Sequence, residues 1–344
     1  MKNRKIIPAV VLILLLAGGI AGWIVYHRLY EPNVKLENGV TDYIYIPTAA
    51  DFHTVVDSLE KGKIKNSNTF AWVAEKMGYT HNVKPGRYAI RHGMNNRELV
   101  TLLRSGKQSP VKVTFNNLRT LEQFAGRIAA QIEPDSAAVL KVFNDEARQM
   151  KSGLDSFNSV AILTPNTYEV YWNITAEQFY DRMLKEYDAF WSKERMDKLA
   201  ETGLTRTQVS VIASIVEQET RKDDEKAVIA GVYINRYRKG WKLEADPTLV
   251  FALGDFSIRR VLNVHKEVDS PYNTYKNAGL PPGPICIPGI ASIDAVLNYK
   301  RHNYFYFCAK DDFSGYHAFA SSYSDHLLNA RRFQKALSKR GIMS

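Results

Sequence analysis

Two carboxylates end an apolar run in the segment VIASIVEQET, residues 211–220, and their spacing decides what each can do. On a helix of 100° per residue, Glu219 lies within about 20° of Ile212, about 40° of Ile215 and about 60° of Val216. Glu217 lies about 160° from Glu219, on the opposite face. Glu219 therefore prolongs the apolar stripe, and Glu217 points to a polar side. A carboxyl facing apolar surroundings is disfavoured as an anion, so it holds its proton near neutral pH and can deliver it as a general acid. The alternative is a stripe that ends at Val216 and leaves Glu219 at a solvated helix end beside Arg221 or Lys222.

Two further segments carry polar groups that could line a cleft. DSPYNTYKNAGLPPGPICIPG, Asp269 to Gly289, has neither helical nor strand periodicity, and long ordered loops of this kind carry function more often than connecting segments do. Tyr272 and Tyr275 offer flat apolar faces for a sugar ring, and Asn273 and Thr274 offer partners for hydroxyl or acetamido groups. A proline-stiffened loop with its tyrosines packed on the core is the structural alternative. In LEADPTLVFALG, residues 243–254, Asp246 precedes Pro247, so it either caps the following helix or faces a cleft with Glu219. No HExxH and no CxxC occurs, so no metal site and no cofactor is expected.

These groups need elements to hold them. The Thr205-x-x-Gln208 pair signals the start of the helix that carries Glu219, and Thr120-x-x-Gln123 and Thr175-x-x-Gln178 repeat the signal upstream. YFYFCA, residues 304–309, reads as a buried strand. Before this larger region, DYIYIP alternates like a strand, FHTVVDSLEKG has helical spacing, VKPGRYAIRHG is a turn into a strand, and NNRELVTLLRSGK is a helix closed by Gly106, so that the module reads as a strand, two helical stretches, a strand and a helix. Lys2, Arg4 and Lys5 precede the uncharged run Ile6 to Tyr26, whose 21 residues span about 31 Å as a helix, the thickness of a hydrocarbon core. The run exceeds the apolar region of a signal peptide and ends in Trp23 and Tyr26, so an uncleaved anchor is expected, with the basic end in the cytoplasm.

The expected fold is thus α+β. It comprises a cytoplasmic N-terminus (residues 1–5), a transmembrane helix (6–26), a linker (27–40), a small α+β module (41–108) and a larger mixed α/β catalytic domain (109–344). The net charge of +10 comes without any nucleic-acid-binding signature, so it is read as a solvated surface and no nucleic-acid partner is expected. Cys286 and Cys308 are read as two small buried thiols rather than a disulfide.

Taken in order, ASIVEQET, GVYINRYRKGWKLEADPT, DSPYNTYKNAGLPPGPICIPG, YFYFCA and YHAF resemble the MltG (YceG-like) family of endolytic murein transglycosylases. KPGRYAIRHGMNNRELVTLLRSGK is similar to that family's LysM-like domain. The resemblance implies that Glu219, the second glutamate of the E-x-E pair, is the catalytic acid; Glu217, Asp246, Tyr272, Asn273, Thr274 and Tyr275 are the residues expected to bind substrate. It implies cleavage of the MurNAc–GlcNAc β-1,4 bond of nascent peptidoglycan glycan strands, with 1,6-anhydroMurNAc ends. It further implies a single-pass protein of the cytoplasmic (inner) membrane, its catalytic domain periplasmic, working beside peptidoglycan synthases. Two positions depart from the family's pattern: Asn166 stands where Asp is usual, and His326-Leu327 replaces a His-Asn pair, so His326 is read as a packed residue.

Two readings from other classes compete. Ser58-Leu-Glu-Lys61 and Lys151-Ser-Gly153 match fragments of a penicillin-binding acyltransferase, but Ser156 to Asn158 follows the K-S-G and the order is wrong for that fold. A non-catalytic, membrane-tethered glycan-binding scaffold explains the anchor and the small module but not Glu219 on an apolar face.

Overall fold

The computed structural model describes residues 6–341, so Lys2, Arg4 and Lys5, on which the expected orientation of the anchor rests, lie outside the described residues. The fold is mixed α+β, and its contacts divide the chain into two compact units.

Among the described residues the first unit holds 6–113 with two short returns, 131–133 and 168–174. Helix α1 (Ile6–Tyr30) leads into β1 (Thr41–Ile46), α2 (Phe52–Glu60), α3 (Ser67–Lys76), β2 (Gly86–Arg91) and α4 (Asn96–Ser105). From residue 41 this is the strand, helix, helix, strand and helix order the sequence predicts. β1 and β2 pair antiparallel from Thr41 opposite Arg91 to Ile46 opposite Gly86. Ile44 and Ile46 thereby meet Val55, Leu59, Phe70, Val73, Tyr88, Leu99 and Leu103 in one core. Each of the helices α2, α3 and α4 starts on a side-chain cap that satisfies an otherwise unpaired N–H: Asp51 for α2, Asn66 for α3, and Asn95 with Glu98 for α4.

Helix α1 is long and apolar enough to cross a membrane, and its apolar side chains between Ile7 and Tyr26 are exposed. Residues 27–40, expected as a linker, are not one. The helix continues through Tyr30, Leu29 packs against the first unit's core, and Val34 is buried. Asn33 Nδ2 donates to Asn96 Oδ1 (2.6 Å) and to the Asn66 carbonyl (2.9 Å), and Asn96 Nδ2 donates to the Arg28 carbonyl (2.9 Å). Short polar segments without periodicity read as linkers, yet isolated bridges such as Pro32 to Asn95 and Val34 to Ile64 fix this one.

The chain then runs through β3 (Val111–Phe115), α5 (Leu121–Ala129), α6 (Ser136–Phe143), α7 (Glu146–Lys151), β4 (Asn166–Val170), α8 (Ala176–Phe190), α9 (Lys193–Thr202), α10 (Arg206–Glu219), α11 (Asp223–Arg238), α12 (Asp246–Leu253), α13 (Ile290–Leu297), β5 (Tyr306–Ala309), β6 (His317–Ala320) and α14 (Tyr323–Lys339). Most of these elements belong to the second unit. The threonine signals cap α5, α8 and α10; at α5, Gln123 reaches back one residue further, to the Arg119 N–H. β5 and β6 form a two-stranded antiparallel ribbon, Tyr306 opposite Ala320 and Ala309 opposite His317. With a single neighbour, β5 is half-buried rather than buried as its composition suggests.

Candidate active site

Helix α10 is buried from Val209 to Val216 against α11, α12 and α13, and it stops at Glu219 because Thr220 turns extended. Both carboxylates of the opening segment flank this helix end and line one cavity of about 640 Å³ with Asn117, Arg119, Gln218, Thr220, Arg221, Asp223 and Lys226. The wheel separated them by half a turn, but a cavity across the end of a helix is reached from both sides.

Their surroundings differ. Glu217 faces α13 and α11: it accepts from Lys226 Nζ (3.4 Å), from Asn117 Nδ2 (3.4 Å) and from Ser292 Oγ. Lys226 is itself nearly buried and also pairs with Asp223 at 2.8 Å, so Glu217 is committed to holding three elements together. Among the described residues Glu219 has one hydrogen-bond partner, the buried Tyr233 of α11, whose hydroxyl donates to Oε1 at 2.6 Å. Burial pushes the Glu219 carboxyl up to about 7; the Tyr233 hydrogen bond opposes this, the nearby Asp246 charge adds to it, and His317 and Arg236 pull it back. Burial likewise holds the Tyr233 phenol well above its ordinary value, so Tyr233 stays a donor. The inward Glu219 read from periodicity is the one the structure places in this setting.

Asp246 does not cap α12. It occupies the first helical position, followed by Pro247, and makes no capping bond. Its exposed carboxylate instead accepts from the Tyr275 hydroxyl at 2.6 Å, and its charge acts on Glu219. The bend before it is tight: Glu244 has φ 49°, one of two non-glycine residues with positive φ among those described. Thr274 holds this bend, accepting from the Ala245 N–H (3.0 Å) while its hydroxyl meets Thr248 Oγ1 (2.9 Å).

The long loop divides its work accordingly. Asn273 is fully buried; its amide donates to the Lys266 and Val268 carbonyls and accepts from the backbone N–H groups of Tyr275 and Lys276. Asn273 and Thr274, expected to bind substrate, are spent on the protein itself: Asn273 on the backbone of the loop and of the residues just before it, Thr274 on the bend at Ala245 and on Thr248. Tyr272 packs on Phe251, ring centroids 4.7 Å apart, and burial raises its phenol to about 12. Gly283 follows, where a β-carbon would stand 1.8 Å from the Phe157 carbonyl oxygen. Ile285 and Cys286 then tie the loop to α10 through Ser214. Among the loop's predicted contacts, Tyr275 alone is joined to the carboxylates.

Sequence reasoning did not assign Tyr233, Arg119, Lys226, or the buried Glu225, whose carboxylate accepts from the His317 N–H at 2.8 Å and meets its ring Nδ1 at 2.7 Å. Of these only Tyr233 stands within a quoted stretch, GVYINRYRKGWKLEADPT, the available signal; Glu225 is tied to His317 of YHAF only in the folded chain. His326 is packed, its ring stacked on Tyr306 at 5.4 Å. Cys286 and Cys308 are both free, the first buried and the second half-buried. Among the described residues no group of three or more His, Cys, Asp or Glu side chains could hold a metal ion.

The profile of the YceG-like family matches residues 44–332, most of the chain. The chain belongs to the YceG-like family. Its similarity to named proteins agrees with that membership. The YceG-like chain is 28% identical over 351 residues to an endolytic murein transglycosylase of Streptococcus pneumoniae, covering 92% of this chain and 62% of that protein. It is 29% identical over 311 residues to an endolytic murein transglycosylase of Bacillus subtilis, covering 85% of each. Its backbone is similar to the crystal structure of a yceG-like protein from Listeria monocytogenes, with a TM-score of 0.58 and 30% identity over 84% of this chain and 98% of that one. The YceG-like chain thus spans less than two thirds of its pneumococcal relative.

Proposed function

We propose that this chain is a membrane-anchored endolytic lytic transglycosylase, cleaving the MurNAc–GlcNAc β-1,4 bond of nascent glycan strands. The observation that carries the reading is Glu219, a shielded carboxyl held near neutral proton affinity and hydrogen-bonded by Tyr233, in a cavity large enough for part of a glycan. The Tyr233 donor occupies Oε1 and leaves Oε2 to carry the proton. Glu219 protonates the leaving glycosidic oxygen as the C1–O bond breaks. As a carboxylate it then takes the proton of the muramic C6 hydroxyl, which closes on C1, and the acid is restored without water. The names of the relatives support the same reading.

Residues 41–108 act in this proposal as a LysM-like glycan-holding module and 109–344 as the catalytic domain. The chain sits in the cytoplasmic membrane with its N-terminus inside and its folded part outside, within reach of the synthases that extrude the strands. A reporter fused to the C-terminal end is then active only outside the cytoplasm; activity only inside would reverse the orientation. The rival scaffold reading predicts binding of glycan without new ends.

Asp246 favours one second reading, hydrolysis with a carboxylate activating water, since its charge acts on Glu219 and it does not cap α12. Mass spectrometry of purified strands digested in ¹⁸O water separates the two. The lytic route yields 1,6-anhydro ends, lighter than hydrolysed ends by one water, roughly 18 Da, and free of label. Labelled reducing ends as the main product would assign Asp246 the role of base.

A further inference from the structure

Where α1 leaves its apolar stretch and enters the first unit there is a cavity of about 410 Å³, remote in sequence from every residue of the proposed catalytic site. Trp23 and Ile24 line it from the apolar end of α1; His27, Arg28 and Glu31 follow on the same helix; Lys65, Asn66 and Thr69 face them from the folded unit. Its charges are unbalanced. The carboxylate of Glu31 is met by His27 at 3.4 Å, whereas among the described residues neither Arg28 nor Lys65 is paired with a carboxylate. Arg28 is nevertheless held in place: its guanidinium lies over the Trp72 ring, 4.9 Å from the centroid, and its carbonyl accepts from Asn96. Asn33 and Asn96, both buried, lock the helix to the unit beneath these cations, so Arg28 and the Lys65 backbone are fixed before any ligand arrives.

A polar cavity with two unpaired cations above an interfacial tryptophan suits an anion that is itself anchored in lipid. The geometry points to a binding site for the phosphodiester group of a membrane phospholipid, gripped by Arg28 and Lys65 while its acyl chains lie along Ile24 and the apolar length of α1. The inference rests on the anchor reading of α1, but on neither its orientation nor the catalytic assignment.

The test uses the full chain in phosphate-free detergent, titrated with short-chain phosphatidylglycerol, with the matching diacylglycerol and with inorganic phosphate, while liposome flotation reports insertion. The wild type is expected to bind the phospholipid and neither of the other probes. At about fivefold for each cation near the surface, the R28Q/K65Q double variant should bind roughly 30-fold more weakly. K65Q alone, removing an exposed ammonium with no partner, leaves the fold intact and should cost about fivefold. Equal affinity in wild type and both variants, or equal binding of the phosphate-free lipid, overturns the site. Tight binding of inorganic phosphate by itself overturns the lipid assignment. A wild-type chain that fails to float overturns the anchor, and the site with it, whereas flotation without phospholipid affinity overturns the site alone.

Discussion

Glu219→Gln should remove about 10²–10⁴-fold of turnover on purified glycan strands while circular dichroism and glycan affinity stay unchanged, because the amide keeps the Tyr233 hydrogen bond and loses only the transferable proton. Glu217→Gln is the informative companion. Its amide oxygen can still accept from Lys226 and Ser292, so the helix end holds and the loss of activity should be much smaller. Equal losses in the two variants would mean that the cavity uses its carboxylates jointly, and full activity in the Glu219 variant would end the general-acid reading.

The same substitution should also stabilise the protein, in a pH window set by one group. The Glu219 carboxyl titrates near 4.5 when unfolded and about 7 when folded, so between these values the folded state binds more protons and stability falls as pH rises. Below pH 4.5 both states are protonated and nothing is lost; above pH 7 the full cost of holding a shielded anion is present. A shift of this size corresponds to about 3 kcal/mol, reduced to about 2–3 because the side chain still borders the open cavity. Glu219→Gln escapes that cost. At pH 8 the variant should melt roughly 5–10 °C above the wild type in thermal denaturation of the full chain, and at pH 4 the two should coincide. A wild type as stable as the variant at pH 8 would show that Glu219 is solvated, with an ordinary proton affinity.

Glu219 was legible in the sequence because one buried helix face has a period, and a carboxylate in phase with Ile212 and Ile215 is conspicuous. Tyr233 was not, for the opposite reason: α11 is buried on most sides, from Ile229 through Ile234, so no stripe marks the position that faces Glu219. The order of elements between residues 41 and 107 was legible from caps, turns and alternation, which are local. Asp246 before proline is equally a cap or a cleft residue until one knows that Thr274, some thirty positions on, already serves the backbone there. Asn273 misled in a different way. A polar residue in an irregular loop reads as a ligand contact, yet irregular backbone must find partners from side chains, and a buried asparagine is well suited to supply them.

The absence of slack between α1 and the first unit has a mechanical meaning. With Leu29 in the unit's core and Asn33 and Asn96 bolted across the junction, helix and unit move as one lever. A bilayer that thickens or thins sets the tilt of a spanning helix. In the membrane-anchored protein proposed above, any such tilt would swing the first unit with the helix, so the thickness of the lipid would steer which direction that unit faces.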